Sequence, residues 1–424
     1  MTAGTAPTSP RKLKVVVGVA GGIAAYKACH LVRFFAERGH DVTVVPTPSA
    51  LNFVGAATFE ALSGNPVSTT VFEAVDEVRH VRIGHEADLV VIAPATADLM
   101  ARAAHGRADD LLTATLLTAT CPVVFAPAMH TEMWNHPATR DNVAALRRHG
   151  AIVLEPAHGR LTGADSGAGR LPEPVHIGRM ALLAAERPGA FARTLEGRRV
   201  VVTAGGTREA LDPVRYLGNH SSGRQGYALA DVAAHRGARV TLIAGATEAL
   251  DTPPGAELVR ITSARDLDAA VAEAAPDADL LIMAAAVADF RPEAEAGVKM
   301  KKGADDDALS TLRLTENPDI LRRTVGRREA GELAADTVIC GFAAETGDGE
   351  HTPLDLAKRK IARKGCDLLM CNDVSGGGTF GAEDNAGWIL TADGGVDEVP
   401  RGSKDAVAAA ILDAAVRLLD SRTA

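Results

Sequence analysis

Cysteine pairing, long apolar runs and surplus basic charge are all missing from this chain, and each absence closes off a class of function. The five cysteines, Cys29, Cys121, Cys340, Cys366 and Cys371, are odd in number and irregularly spaced, with no CxxC pair. Neither a disulfide framework nor a structural zinc site fits them, whereas reduced thiols in a cytosol do. No apolar run approaches the roughly 20 residues that span a bilayer. Met1–Pro10 is small and polar, without the apolar core of a secretion signal. The expected location is the cytoplasm, and residues 1–12 are expected to form a disordered tail. Formal net charge is −9, from 45 basic and 54 acidic residues. That is the wrong sign for nucleic acid as a main partner. The glycine turns also lack the GxGxxG spacing of dinucleotide folds, and no P-loop signature occurs.

What is present is the patterning of an α/β protein. Hydrophobic residues make up 46% of the 424, enough for each half to bury a core. At roughly 100–200 residues per domain, two or three domains are expected. β-Branched apolar runs alternate with Ala-rich stretches, which reads as βαβ units around parallel sheets. Strands are expected at Leu13–Val19, Asp41–Val45, Ala87–Ala93, Val123–Ala126 and Ala151–Leu154, with a helix over Ile23–Arg38. A second start comes at Arg199–Ala204, again ending in a double glycine, Gly205-Gly206. The boundary falls near Glu186–Arg198, where Arg187-Pro188-Gly189 breaks a helix. The domains expected are 13–190 and 191–424, both Rossmann-like and doubly wound. Two segments, Glu155–Pro174 and Glu293–Ala308, have the Gly-rich or charged composition of mobile flaps.

In the first half, Gly21-Gly22 closes a strand and opens a helix, where glycines let a phosphate approach backbone N–H groups. The run Gly21-Gly-Ile-Ala-Ala-Tyr-Lys27, then Ala93-Pro-Ala-Thr-Ala-Asp98 and Pro127-Ala-Met-His-Thr-Glu-Met-Trp134, resembles the flavin-dependent cysteine decarboxylases in order and spacing. The resemblance covers roughly residues 13–180. It implies FMN, held by Gly21, Gly22, Ile23, Ser49, Ala95, Thr96 and Met129 at an interface between subunits of a trimer. It also implies that His80, eight residues before Asp88, is the active-site histidine, while His85 does not fit that spacing. An imidazole titrates near neutrality and can move protons or hold a carboxylate. A flavin is needed because a cysteinyl carboxylate lacks an electron sink until its thiol is oxidised to a thioaldehyde.

The chain departs from that family twice. His130 stands where the family's PAMN motif has Asn, leaving His130 to hydrogen-bond a substrate carboxylate or amide. The flap region Leu161–Arg170 has no cysteine to serve as proton donor, and Asp165 or Thr162 lies near that place.

In the second half, Val201–Glu209 is a strand and glycine turn, and Leu211–Gly223 leads to a helix near Gln225. The clustered N–H and hydroxyl groups make a plausible triphosphate cradle. The string TAGGTREALDPVRYLGNHSSG resembles phosphopantothenate–cysteine ligase. So do Ala284–Pro292, Lys299-Met-Lys-Lys302, Asn317–Ile320, Gly341–Thr346 and Cys371–Val374. This resemblance spans about residues 198–420 and, with the first, matches the bacterial bifunctional family of coenzyme A biosynthesis. It implies that 4′-phosphopantothenate is activated by CTP as an acyl-cytidylate and then joined to cysteine, with Mg²⁺ as divalent cation. By motif position, Asp289 would serve the cation, Lys299 the polyphosphate and Asn219 the acyl-cytidylate. Gly205, Gly206, Ser221, Ser222, Met283, Ala284, Ala285, Pro318, Asp319, Ile320, Leu321, Phe342, Lys360 and Lys364 would line the nucleotide. A homo-oligomer is implied as well, a dodecamer with paired ligase domains. The alternative reading keeps the ligase alone and makes the first half an FMN-binding assembly scaffold. An NAD-dependent oxidoreductase is disfavoured by the missing GxGxxG spacing.

Overall fold

The computed structural model describes residues 11–70, 78–161, 165–301, 311–347, 350–373 and 384–423, and it divides into two compact units, Met1–Phe191 and Ala192–Ala424. Residues 1–10 of the expected tail, Thr162, the 302–308 part of the second flap and Val374 lie outside the described residues.

In the first unit five parallel strands stand in the order β2-β1-β3-β4-β5. They are β1 (Lys14–Val19), β2 (Asp41–Pro46), β3 (Leu89–Ala95), β4 (Val123–Pro127) and β5 (Ile152–Val153). Every residue of β3 is buried, as in a strand covered on both faces. The strand order reverses between β1 and β3, and ligands of open α/β sheets bind beyond the carboxyl ends of strands at such a point. The expected helix over Ile23–Arg38 opens as one 3-10 turn, Ile23–Ala25, before the α-helix Tyr26–Glu37, because Gly22 has no side chain to cap it. The strand expected from Ala87 starts at Leu89, since Asp88 turns to accept the Lys14 N–H and to pair with Arg11. Glu155–Pro174 is not irregular throughout: it holds an antiparallel hairpin, β6 (Ala157–Arg160) with β7 (Ser166–Arg170).

The second unit carries an eight-stranded sheet. Its parallel part runs β12 (Ala256–Arg260), β11 (Arg239–Ala244), β8 (Arg199–Ala204), β13 (Leu280–Met283), β16 (Val338–Glu345) and β17 (Leu368–Asp373). This is the Rossmann order, reversing between β8 and β13. Antiparallel β18 (Asp384–Thr391) and β19 (Val396–Ser403) extend the edge. Two small hairpins, β9 (Arg208–Ala210) with β10 (Tyr216–Gly218) and β14 (Phe290–Pro292) with β15 (Leu314–Glu316), rise from the loops at the switch point. Val201, Leu281, Ile339 and Leu369 pack in the core. The C-terminal helix Lys404–Thr423 packs on β16 to β19 and against the helix Arg224–His235, which lies on β8 and β11. Its glycine makes this approach possible, since a Cβ on Gly226 would lie 2.5 Å from that of Ala204.

Candidate active sites

At the β1/β3 switch point the chain is packed too tightly for a side chain at Gly21, though not at Gly22. A Cβ on Gly21 would sit 2.4 Å from the Ser49 Oγ, and one on Gly22 would sit 3.5 Å from the Thr96 Cγ2. Ser49 is placed by Thr47, whose hydroxyl lies 3.0 Å from the Ser49 Oγ and accepts the Ala50 N–H at 3.3 Å. Thr96 caps the helix Ala97–Ala104, accepting the Leu99 N–H. The Ala95 carbonyl accepts the Ala128 N–H at 3.0 Å, which sets Met129 beside the end of β3. The structure thus collects Gly21, Gly22, Ser49, Ala95, Thr96 and Met129 on neighbouring loops at one end of the sheet. Ile23 follows on the first turn, 69% exposed.

The β6–β7 hairpin is docked on this cluster. Met129 N–H donates to Gly169 O at 2.9 Å, and Thr131 Oγ1 donates to Ala168 O at 2.8 Å. Cβ atoms on Gly167 and Gly169 would come within 2.2 Å of Thr131 Oγ1 and 2.3 Å of Met129 O. His130 is exposed at the N-cap of the short helix Thr131–Asn135, where its ring makes no capping bond. Asp165 is exposed, and its carbonyl accepts the Leu161 N–H. Beyond the hairpin, Glu173 joins Lys27 at 2.9 Å and Arg170 at 2.7 Å. Burial works against the Glu173 carboxylate, but Lys27 and Arg170 hold its carboxyl below the usual range. This triad went unseen in the sequence, where 146 residues separate Lys27 from Glu173.

His80 is half-buried in the first turn of the helix Arg79–Glu86. Its carbonyl accepts Thr118 Oγ1 at 2.9 Å, and no hydrogen bond among the described residues joins its ring to the loops that carry Gly21, Ser49, Thr96 and Met129. Val78, just before this helix, has φ 42°, a strained value for a β-branched residue.

In the second unit the loops after β8, β11 and β13 are stitched together. Gly206 and Ala246 exchange N–H···O bonds at 2.8 Å, Ala286 N–H donates to Gly205 O at 2.8 Å, and Thr207 N–H donates to Ala286 O at 3.2 Å. Gly205 has φ +77°, and a Cβ there would lie 2.5 Å from Ala246 O, so glycine is required. The N–H groups of Gly206 and Thr207 are therefore engaged within the fold, which leaves the rest of the expected cradle to other groups of the two clusters. Buried Thr203 and Thr207 accept the N–H groups of Ala285 and Ala288, both at 3.0 Å. Asn219 Nδ2 donates to Val287 O at 3.0 Å. Asn317 donates to Asp289 O through its N–H and to Ala288 O through its side chain. Gly205, Gly206, Asn219, Ala284, Ala285 and Asp289 are brought together in this way. Thr203, Thr207 and Asn317 are the positioning groups that sequence reasoning passed over, although all three lie inside the motifs.

Around this centre, Ser221 Oγ accepts the Gly223 N–H and Ser222 Oγ accepts the Arg224 N–H, shaping the start of the helix Arg224–His235. A Cβ on Gly341 would meet Leu321 Cδ2 at 2.7 Å, so Leu321 lies against strand β16, which also carries Phe342. Met283 ends β13 and Pro318 precedes the helix Ile320–Glu329. Lys364 pairs with Asp319, and Lys360 pairs with Glu345 at 3.2 Å. Burial raises the Asp319 carboxyl, but Lys364 and the Arg322 N–H pull it below its usual value. Two of the three lysines expected at the nucleotide are thus already neutralised by carboxylates. Asp289 and Lys299 are exposed, and no ion pair forms at either among the described residues. Burial pushes the Cys366 thiol up to about 11 and raises Cys340 further, so neither is a thiolate at neutral pH.

Two family models match the chain: one described as Flavoprotein over residues 4–181, and one described as DNA/pantothenate metabolism flavoprotein C-terminal domain over residues 195–418. The coenzyme A biosynthesis bifunctional protein CoaBC of Mycolicibacterium smegmatis is 61% identical over 414 residues, covering 98% of this chain and 99% of that protein. Its counterpart in Mycobacterium tuberculosis strain H37Rv is 60% identical over 406 residues, covering 96% and 97%. That of Bacillus subtilis is 44% identical over 395 residues, covering 92% and 93%.

Proposed function

This chain belongs to the coenzyme A biosynthesis bifunctional family, ligase and decarboxylase in one polypeptide, and on that premise we propose which residues carry each reaction and with which cofactors. Membership sets aside the ligase-only alternative.

The ligase centre lies at the β8/β13 switch point. The observation that carries this reading is the stitched loop set, which gathers Asn219, Ala284, Ala285 and Asp289 around one point. CTP binds there between Met283–Ala285, Pro318–Leu321 and Phe342. Mg²⁺ takes one or two carboxylates together with substrate phosphates, and the exposed Asp289 carboxylate, without an ion-pair partner among the described residues, fits such a ligand. Lys299 neutralises the polyphosphate, and Lys360 and Lys364 reach it by leaving Glu345 and Asp319. Asn219 orients the activated carboxyl of 4′-phosphopantothenate for attack by the cysteine amine. Fixed donors and cations aimed at developing charge are the main source of acceleration in such transfers.

The first unit is a flavoprotein domain, and FMN is the flavin we assign to the loops at the β1/β3 switch point. The crowding that forbids a Cβ at Gly21, with Ser49 and Thr96 adjacent, fits a phosphate approaching the first turn at Ile23. When bound, the flavin supplies the two-electron oxidation and return of hydride that decarboxylation of a cysteinyl group needs. His130, exposed beside Met129, hydrogen-bonds the substrate carboxylate or amide, and His80 holds or moves a proton. His80 is placed in the site through a second copy of the chain, in keeping with a homo-oligomer of trimers assembled as a dodecamer. The cytoplasm suits five cysteines that are all unpaired.

The test is one incubation with 4′-phosphopantothenate, cysteine and CTP, following pyrophosphate and CO₂ separately. Lys299→Gln should depress pyrophosphate release and leave decarboxylation of added 4′-phosphopantothenoylcysteine intact, and His80→Asn should do the reverse. Undiminished rates in either variant would remove the role assigned to that residue.

A further inference from the structure

Asp212 is the most completely engaged carboxylate near the ligase centre, and nothing in the reaction described above uses it. Its side chain has no solvent exposure. Oδ1 accepts the N–H groups of Val214 and Arg215, each at 2.8 Å, which forms the turn between β9 and β10. Oδ2 reaches across to accept the N–H of Met300 at 3.3 Å. Arg215 Nη1 lies 3.7 Å from the same oxygen, and Arg215 Nη2 donates to Met300 O at 3.1 Å. Both backbone groups of Met300 are therefore gripped by one acid–base pair. A second tie, Ala296 N–H to Leu211 O at 3.0 Å, fixes the same segment four residues earlier. Lys299 is the last of the three residues between these ties. It stands exposed on a strip of chain whose backbone is set 88 residues away in sequence.

We propose that Asp212 is a positioning residue for the ligase, holding the backbone at Met300 so that the neighbouring Lys299 points its ammonium at the nucleotide phosphates. This rests on the assignment of Lys299 to the polyphosphate. A long, flexible lysine loses rotamer freedom when it binds. Anchoring the next peptide unit removes the backbone share of that loss before substrate arrives. Division of labour between the two oxygens makes the idea separable from a purely structural role. An Asn at this position keeps one carbonyl oxygen for the Val214 and Arg215 N–H groups, so the turn survives. Its amide nitrogen then faces the Met300 N–H and the Arg215 guanidinium, donor against donor, so the tie to Met300 and the ion pair beside it are lost while the turn is kept.

The experiment is a double-mutant cycle on the full-length protein with Asp212→Asn, Lys299→Gln and the pair, reading kcat and KM for CTP in ligation and CO₂ release as an internal control. Asp212→Asn is expected to lower ligase kcat/KM about tenfold, mostly through KM for CTP, with decarboxylation unchanged. In the Lys299→Gln background the same change should matter less than about twofold, because the side chain it positions is gone. A Lys299→Gln enzyme with wild-type ligation overturns the lysine assignment and this proposal with it. A deficient Lys299→Gln enzyme whose loss multiplies with that of Asp212→Asn, or an Asp212→Asn enzyme with wild-type ligation, overturns the positioning role alone. Hydrogen exchange on the wild-type protein gives a reading independent of how any variant folds. The Met300 amide should be protected, and exchange there at the free-peptide rate overturns the proposal.

Discussion

Asp367 gives the sharpest energetic test of the second unit. It sits at the foot of β17, 8% exposed, and binds both Arg328 and Arg422. Its Oδ2 also accepts the Ile339 N–H at 2.7 Å. Replacing it with Ala leaves two guanidinium groups facing each other and a buried N–H without an acceptor. Removing one partner of a buried ion pair destabilises by about 3–5 kcal/mol. Arg422 is 28% exposed and can recover some hydration, which places the expected loss near 3 kcal/mol. Asp367→Asn keeps an acceptor for Ile339, and its expected loss is about 1.5 kcal/mol. The chain has two tryptophans, Trp134 in the first unit and Trp388 opposite Cys371 on the β17–β18 ladder. In a Trp134→Phe background, Trp388 fluorescence therefore reports urea unfolding of the sheet that Asp367 anchors. With an m-value of about 2 kcal/mol per molar urea, the midpoint should fall by about 1.5 M for the Ala variant. A fall below about 0.5 M would reduce the cluster to the worth of a surface pair and refute the reasoning.

Gly84 faces the helix Leu111–Thr118, where a Cβ would lie 2.2 Å from Thr118 Oγ1 and 2.9 Å from its carbonyl carbon. Gly84→Ala should cost about 1–3 kcal/mol by overpacking and, by displacing the helix that carries His80, slow CO₂ release but not ligation; an unchanged melting temperature would contradict this. Thr207→Val leaves the Ala288 N–H unsatisfied, which should destabilise the second unit by about 1–3 kcal/mol and slow pyrophosphate release, measurable in the same assays. Glu173 has its folded-state pKa depressed, so its contribution is present above the unfolded carboxyl value and is lost as pH falls through the folded one. In thermal melts from neutrality down through the acid range, Glu173→Gln should lower stability at neutral pH and flatten its decline below about pH 4.3; parallel wild-type and variant curves would count against the triad.

Most strands were legible because buried parallel strands read as unbroken Val, Ile and Leu, and the double glycines marked the ends of β1 and β8. The β6–β7 hairpin was not legible. AHGR and SGAGR carry no alternation and little β propensity, and the strands pair because glycines let them dock against Met129 and Thr131. In the candidate sites, residue identities were visible as motifs, but partners were not. Lys360 and Lys364 showed as charge, while the carboxylates that hold them depend on tertiary contact. Asp212 lies inside the ligase-like string but is not singled out there, because its grip on Met300 depends on a crossing that local pattern does not encode.

The reciprocal bonding of Gly206 with Ala246, and of Thr207 with Ala286, has a bearing on how a nucleotide comes and goes. On the assignment above, the phosphates meet lysine side chains and a metal rather than a ring of peptide amides. Lys360 and Lys364 must first part from Glu345 and Asp319. Arrival is then an exchange of counter-ions, in which the protein's own carboxylates compete for the same cations. On the same assignment, release of CMP and pyrophosphate would be assisted by this competition, each departing anion being replaced by a carboxylate of the protein.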